Sequence, residues 1–152
     1  MFAEEKTGSP AGLERMGVLK LFFLVFITGG IYTGVWFLKR LEAFNALNSE
    51  VKLKQAPFTF IIAGCVVNIG ITFFLMFAGK ELDKGLINSL LMTGDILNIV
   101  VAVVLLVQAF KLRRILMEHF NTTVSWLGTF FFTVFYLQYR INRLTEEVED
   151  EV

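Results

Sequence analysis

The sequence predicts an all-α integral membrane protein, with four membrane-embedded helical segments in one compact bundle. Three observations predict it. The 152-residue chain is 55 % hydrophobic and only 18 % charged. Its charged residues fence off four apolar runs, each near the roughly 20 residues that cross a bilayer at 1.5 Å per residue. None of these runs alternates apolar and polar residues as a closed barrel would, and in lipid only helices and closed barrels satisfy the backbone.

The expected organisation is a polar tail over 1–17, a membrane domain over 18–144 and an acidic tail over 145–152. Within the membrane domain the segments fall at about 18–38, 57–79, 86–110 and 124–139. The first run, Leu21 to Leu38, holds 18 uncharged residues and no small-residue cleavage site before Lys39 and Arg40. It is therefore expected to be an uncleaved membrane segment rather than a secretory signal. Lys39 to Lys54 is long enough for an amphipathic extension, with Leu41, Phe44 and Leu47 on one helical face. Gln55 to Gly79 is uncharged, and Pro57 suits a helix entry. Lys80 to Lys84 is a tight turn. Gly85 to Phe110 is interrupted only by Asp95. Lys111 to Thr123 forms the next connection, with Asn121-Thr-Thr as the expected helix start. Phe120 to Tyr139 is again uncharged. Five of the 14 acidic residues lie within 146–152, a composition expected to be disordered.

Composition also limits function. The formal net charge is zero and no basic-aromatic interleaving lies outside the apolar runs, which argues against nucleic acid as a partner. Cys65 is the only cysteine, so neither an intrachain disulfide nor a cysteine-based metal site is available. His119, beside Glu118, has no second histidine and no nucleophile arrangement near it in sequence, and it is expected to be a solvated loop residue. No catalytic residues, metal ligands or cofactor are assigned, and the chain is expected not to be an enzyme.

The basic residues leave the topology open. If all four segments cross, Lys6, Arg15, Lys20, Lys80, Lys84, Arg140 and Arg143 face Lys39, Arg40, Lys52, Lys54, Lys111, Arg113 and Arg114, seven against seven. The excess of cytoplasmic basic residues then gives no orientation. Insertion of protomers in both orientations is one explanation. The other is that Gly29-Gly30 breaks the first segment into a re-entrant hairpin and the aromatic fourth segment also dips without crossing. Only Lys80 and Lys84 would then oppose the other twelve.

Four groups of residues carry the functional expectations. Gly30 and Gly34 have the small-x-x-x-small spacing that lets membrane helices approach, and Gly64 begins a small and polar stripe continued by Asn68 and Thr72. Asp95 and Asn98 share a face of the third segment. An intramembrane carboxylate is by default a functional candidate, and its meaning depends on depth. If the helix starts near Leu86, Asp95 moves toward the midplane and a proton or cation relay becomes available. If it lies near the interface, hydration or a contact with Lys80 or Lys84 explains it. Lys39, Arg40, Lys111, Arg113 and Arg114 stand on one side in either four or two crossings, as candidate contacts for anionic lipid. The outer segments hold the aromatics, including Phe22, Phe26, Tyr32, Trp36, Trp126, Phe131 and Tyr139, whereas Gly85 to Ala109 has none.

An internal echo lies at an offset of 100 residues. Thr33 and Arg40 recur as Thr133 and Arg140, and Phe26, Tyr32 and Trp36 align with Trp126, Phe132 and Tyr136. Duplication and convergent membrane composition both account for it. The stretch Gly30-Ile-Tyr-Thr-Gly-Val-Trp36-Phe37, followed by Lys39, Arg40 and Asn45, resembles a family of small bacterial inner-membrane proteins with a domain of unknown function. Phe135 to Asn142 is similar to the same family, while the resemblance weakens through Gln55–Phe110. It implies a bacterial inner-membrane location and no known activity. The expected function is a small membrane subunit or scaffold, with the lipid bilayer and a second copy or another membrane protein as partners. The alternative is a small oligomeric channel or transporter with a polar path near Asp95, Asn98 and Asn68.

Overall fold

The computed structural model describes residues 13–150, and these form five helices. They are α1 (Val18–Ile27), α2 (Ile31–Ala46), α3 (Gln55–Ala78), α4 (Lys84–Phe120) and α5 (Trp126–Asp150). Each helix packs on its chain neighbour, except that α5 closes the ring by packing on α1 as well as on α4. The expected bundle of four embedded segments is thus a ring of five helices, of which, among the described residues, two, α3 and α4, are long and apolar enough to cross a membrane. Only 11 % and 6 % of their most apolar stretches are buried within the protein.

The first expected segment is two helices. Thr28 ends α1, and Gly29 and Gly30 follow at φ +57° and +91°, where a Cβ is disfavoured. The Gly30 N–H donates to Val25 O at 2.9 Å and the Gly29 N–H to Phe26 O at 3.2 Å, the paired bonds of a Schellman cap. Thr28 Oγ1 then accepts the Tyr32 N–H at 3.0 Å, satisfying a free donor at the start of α2. The chain folds back on itself here, since Glu14 and Arg40 meet at 3.6 Å across the turn.

The fourth expected segment is also a hairpin. Helix α5 breaks at Thr133 (φ 41°, ψ −111°), a backbone state that a β-branched residue adopts only when its surroundings impose it. The residues before the break return to those after it. Ser125 N–H donates to Tyr136 Oη at 3.1 Å, and Arg140 donates to Thr123 O at 3.2 Å. Beyond the break α5 stays helical to Asp150, so the expected disorder from Thr145 does not hold over the described residues; Thr145 itself is buried. The remainder of that tail and the N-terminal residues 1–12 lie outside the described residues.

Helix α4 also differs from expectation. It runs past Phe110 to Phe120, which puts Lys111, Arg113, Arg114 and His119 on a helix rather than in a connection. Asn121 is not a helix start but the left-handed cap of α4, at φ 47°. At the other end Asp83 caps α4 by accepting the Gly85 N–H at 2.8 Å.

The core gathers where α2, the start of α3, the end of α4 and the second half of α5 meet. Trp36, Phe37, Phe44, Phe58, Leu112, Ile115, Leu137 and Ile141 are each essentially inaccessible to solvent. Phe37 stacks on Phe58 with ring centroids 4.5 Å apart and meets Trp36 edge-on at 4.8 Å. Away from this base, Phe73, Met76 and Phe77 on α3 and Met92, Ile96 and Ile99 on α4 are exposed.

Candidate functional site

The glycines set the approach of the helices. A Cβ on Gly34 would stand 2.6 Å from Ile62 Cγ1 and 3.0 Å from Phe58 O, so α2 lies directly on the backbone of α3. A Cβ on Gly64 would stand 2.5 Å from Val101 Cγ2, which sets the contact of α3 with α4. Gly30 serves the turn instead, and a Cβ there would lie 3.4 Å from Cys65 Sγ. The turn of the first hairpin therefore rests against the Cys65–Ile69 stretch, midway along α3.

The polar candidates converge. Asn68, Thr72, Asp95 and Asn98 line one cleft of about 230 Å³ between α3 and α4, together with Gly94. Asn68 Nδ2 donates to Gly94 O at 3.1 Å, and Thr72 Oγ1 donates to Asn68 O at 3.0 Å. The side-chain pairing of Asn68 with Asn98 that their facing positions allow is not the bond formed. Asp95 is exposed at the mouth of this cleft.

The basic candidates separate. Arg40 is buried in the base at 2 % exposure, with its guanidinium 5.2 Å from the Trp36 ring. Its Nε and both terminal nitrogens have no hydrogen-bond partner, and Glu14 at 3.6 Å is its nearest carboxylate. Burial pulls the Arg40 pKa below its usual value, against the opposing pull of Glu14 and then Tyr32. Arg113 Nε donates to Val124 O at 2.7 Å and ties α4 to the loop before α5. Lys39 is exposed beside the Tyr32 ring, 6.0 Å from its centroid. Lys111 and Arg114 line a common cleft.

Two polar networks have no counterpart in the sequence-based expectations. Trp36 Nε1 donates to Gln138 Oε1 at 2.8 Å, Gln138 Nε2 donates to Asn142 Oδ1 at 2.8 Å, and Asn142 Nδ2 donates to Met16 O at 2.7 Å. This chain joins both hairpins and the entry to α1. The second network clasps the loop after α2 to the end of α4. Glu118 accepts from Ser49 Oγ and from the Glu50 N–H, and His119 Nδ1 accepts the Asn48 N–H at 3.0 Å. His119 is thus a structural acceptor rather than a loose loop residue. The i, i+4 spacing of Gln138 and Asn142 was the available signal for the first network.

Among the described residues no group of three or more His, Cys, Asp or Glu is placed to hold a metal ion. No known protein family, no curated protein and no solved structure matches the chain.

Proposed function

We propose that this protein is a small membrane scaffold that acts through helix packing and lipid contact, with two crossing helices and two half-depth hairpins. The observation that carries the reading is the mid-length position of the first hairpin turn on α3. Lys54 to Lys80 spans about 39 Å and Lys84 to Lys111 about 40 Å at the helical rise, against about 40–45 Å between headgroup layers. Cys65 stands 11 residues above Lys54, about 16 Å up, so a turn resting on it reaches the bilayer centre and goes back. This arrangement gives the twelve-to-two division of basic residues with both termini cytoplasmic. The resemblance carried by Gly30–Phe37 and Phe135–Asn142 supports a bacterial inner membrane as the location.

The outward residues of the hairpins fit shallow insertion. Phe22, Phe23, Phe26 and Ile27 on α1 are exposed, as are Trp126, Leu127, Phe130, Phe131 and Phe132 before the α5 break. The two tryptophans make this testable without a label, because Trp36 is fully buried and Trp126 is 56 % exposed. Brominated lipids are expected to quench Trp126 and spare Trp36. An emission spectrum untouched by bromine at every depth would take the second hairpin out of the bilayer.

A second reading, an oligomeric channel or transporter, is favoured by the Asn68, Thr72, Asp95 and Asn98 cleft. With Lys84 in the headgroup layer, Asp95 lies about 16 Å along α4, roughly 10 Å inside a 30 Å hydrocarbon layer. Proteoliposomes distinguish the two. The scaffold gives ion and proton flux no greater than empty vesicles, whereas flux abolished by Asp95→Asn establishes the channel.

A further inference from the structure

The geometry points to a specific site for one anionic phospholipid on the α4 face at Lys111 and Arg114, resting on the reading that α3 and α4 cross the bilayer. A cleft of about 440 Å³ is lined by Val51, Leu106, Val107, Phe110, Lys111 and Arg114. The two cations lie three residues apart on one helical face, and Leu106, Val107 and Phe110 lie on the membrane side of them. Val107 also lines a neighbouring cleft of about 420 Å³ against Pro57 and Phe60, which extends the apolar path along the helix pair. At the depth derived above, Lys111 sits in the headgroup layer and Val103 to Val107 lie among acyl chains.

Charge complementarity identifies the occupant. Lys111 has no hydrogen-bond or ion-pair partner among the described residues. Arg114 gives its Nε–H to Glu118 Oε1 at 2.7 Å, and that carboxylate is already shared with Ser49 and the Glu50 N–H. Lys111 is thus unpaired, and Arg114 shares its carboxylate with other donors, beside an apolar trough. A phosphodiester with acyl chains answers both halves; a zwitterionic headgroup brings its own cation against Lys111. The loop carrying Val51 forms the far wall, and the Glu118–Ser49 and His119–Asn48 bonds hold that loop on α4. The two contacts that position this wall give the cleft a fixed shape, which ordinary boundary lipid does not need.

The test is native mass spectrometry of the full-length protein released from micelles containing phosphatidylglycerol and phosphatidylcholine of identical acyl chains. Wild type is expected to retain one phosphatidylglycerol in preference to phosphatidylcholine. Lys111→Gln should reduce that preference about fivefold, the equivalent of about 1 kcal/mol for one juxtamembrane cation, with a smaller loss for Arg114→Gln. Lys39→Gln, outside the cleft, should leave it unchanged. Val107→Trp, which fills the trough and keeps the charges, should eject the lipid. Equal retention of both lipids by wild type, equal loss in Lys39→Gln, or displacement by millimolar inorganic phosphate would each overturn the site. Selectivity is read in micelles, so its failure is distinct from a failure of the two-crossing topology, which is read in membranes.

Discussion

The base of the molecule and the far half of the α3–α4 hairpin are built from the same kinds of residue and bury them in opposite ways. In the base, Trp36, Phe37, Phe44, Phe58 and Leu137 pack on one another, and the Trp36–Gln138–Asn142 chain pairs polar atoms among them. In the far half, Phe73, Phe77, Met92 and Ile96 point away from the protein. The hydrophobic effect removes both sets from water, the first by protein contact and the second, on the proposed reading, by lipid. Core packing therefore holds the base together. Between α3 and α4, Gly64 admits Val101, and farther from the base Asn68 donates to the Gly94 carbonyl.

Substitutions should separate the two regions sharply. Phe37→Ala is expected to destabilise the protein by about 3–5 kcal/mol, because the stack on Phe58 collapses only in part. Denaturant unfolding in mild detergent measures it, and a loss below about 1 kcal/mol would deny the base its role. Gly34→Val comes next, at about 1–3 kcal/mol, since its side chain must enter space held by Ile62 and the Phe58 carbonyl. Gln138→Leu should cost a comparable 1–3 kcal/mol, roughly, by leaving the buried Trp36 Nε1 without an acceptor. Tryptophan emission reports that change directly. The smallest effect is expected at Phe77→Ala, 79 % exposed at the far end, with less than about 0.5 kcal/mol in the same assay. A Phe77 effect matching that of Phe37 would mean that the far half packs against more protein than one chain supplies.

How far the sequence foretold this structure depends on which forces set each element. The two helices long and apolar enough to cross a membrane were legible because length and a near-absence of charge are all that property requires. The cleft of Asn68, Thr72, Asp95 and Asn98 was legible from helical spacing alone. Gly29-Gly30 made a break in the first segment one of the alternatives, since consecutive glycines suit a left-handed turn. Thr133 did not announce the second hairpin. A threonine has no preference for positive φ, and that break is set by contacts of residues 122–128 with 136–140, which no local pattern encodes. The 100-residue echo aligns the two broken segments, and its shared Thr33/Thr133 and Arg40/Arg140 pairs stop short of matching environments. Arg140 reaches the Thr123 carbonyl, while Arg40 is buried with no hydrogen bond. The end of α4 was misjudged because Lys111, Arg113 and Arg114 end the apolar run without ending the helix, being good helix formers themselves. A charge fence locates the end of an apolar run, not the helix terminus.

Cysteine accessibility in sealed vesicles tests the central claim most directly. In a Cys65→Ala background, single cysteines at Ser49, Asp83 and Asp150 are labelled with a membrane-impermeant maleimide. Two crossings with two half-depth hairpins predict that Ser49 and Asp150 react from the same side and Asp83 from the opposite one. Labelling of Asp83 and Asp150 together, with Ser49 opposed, would mean four full crossings and would contradict the account.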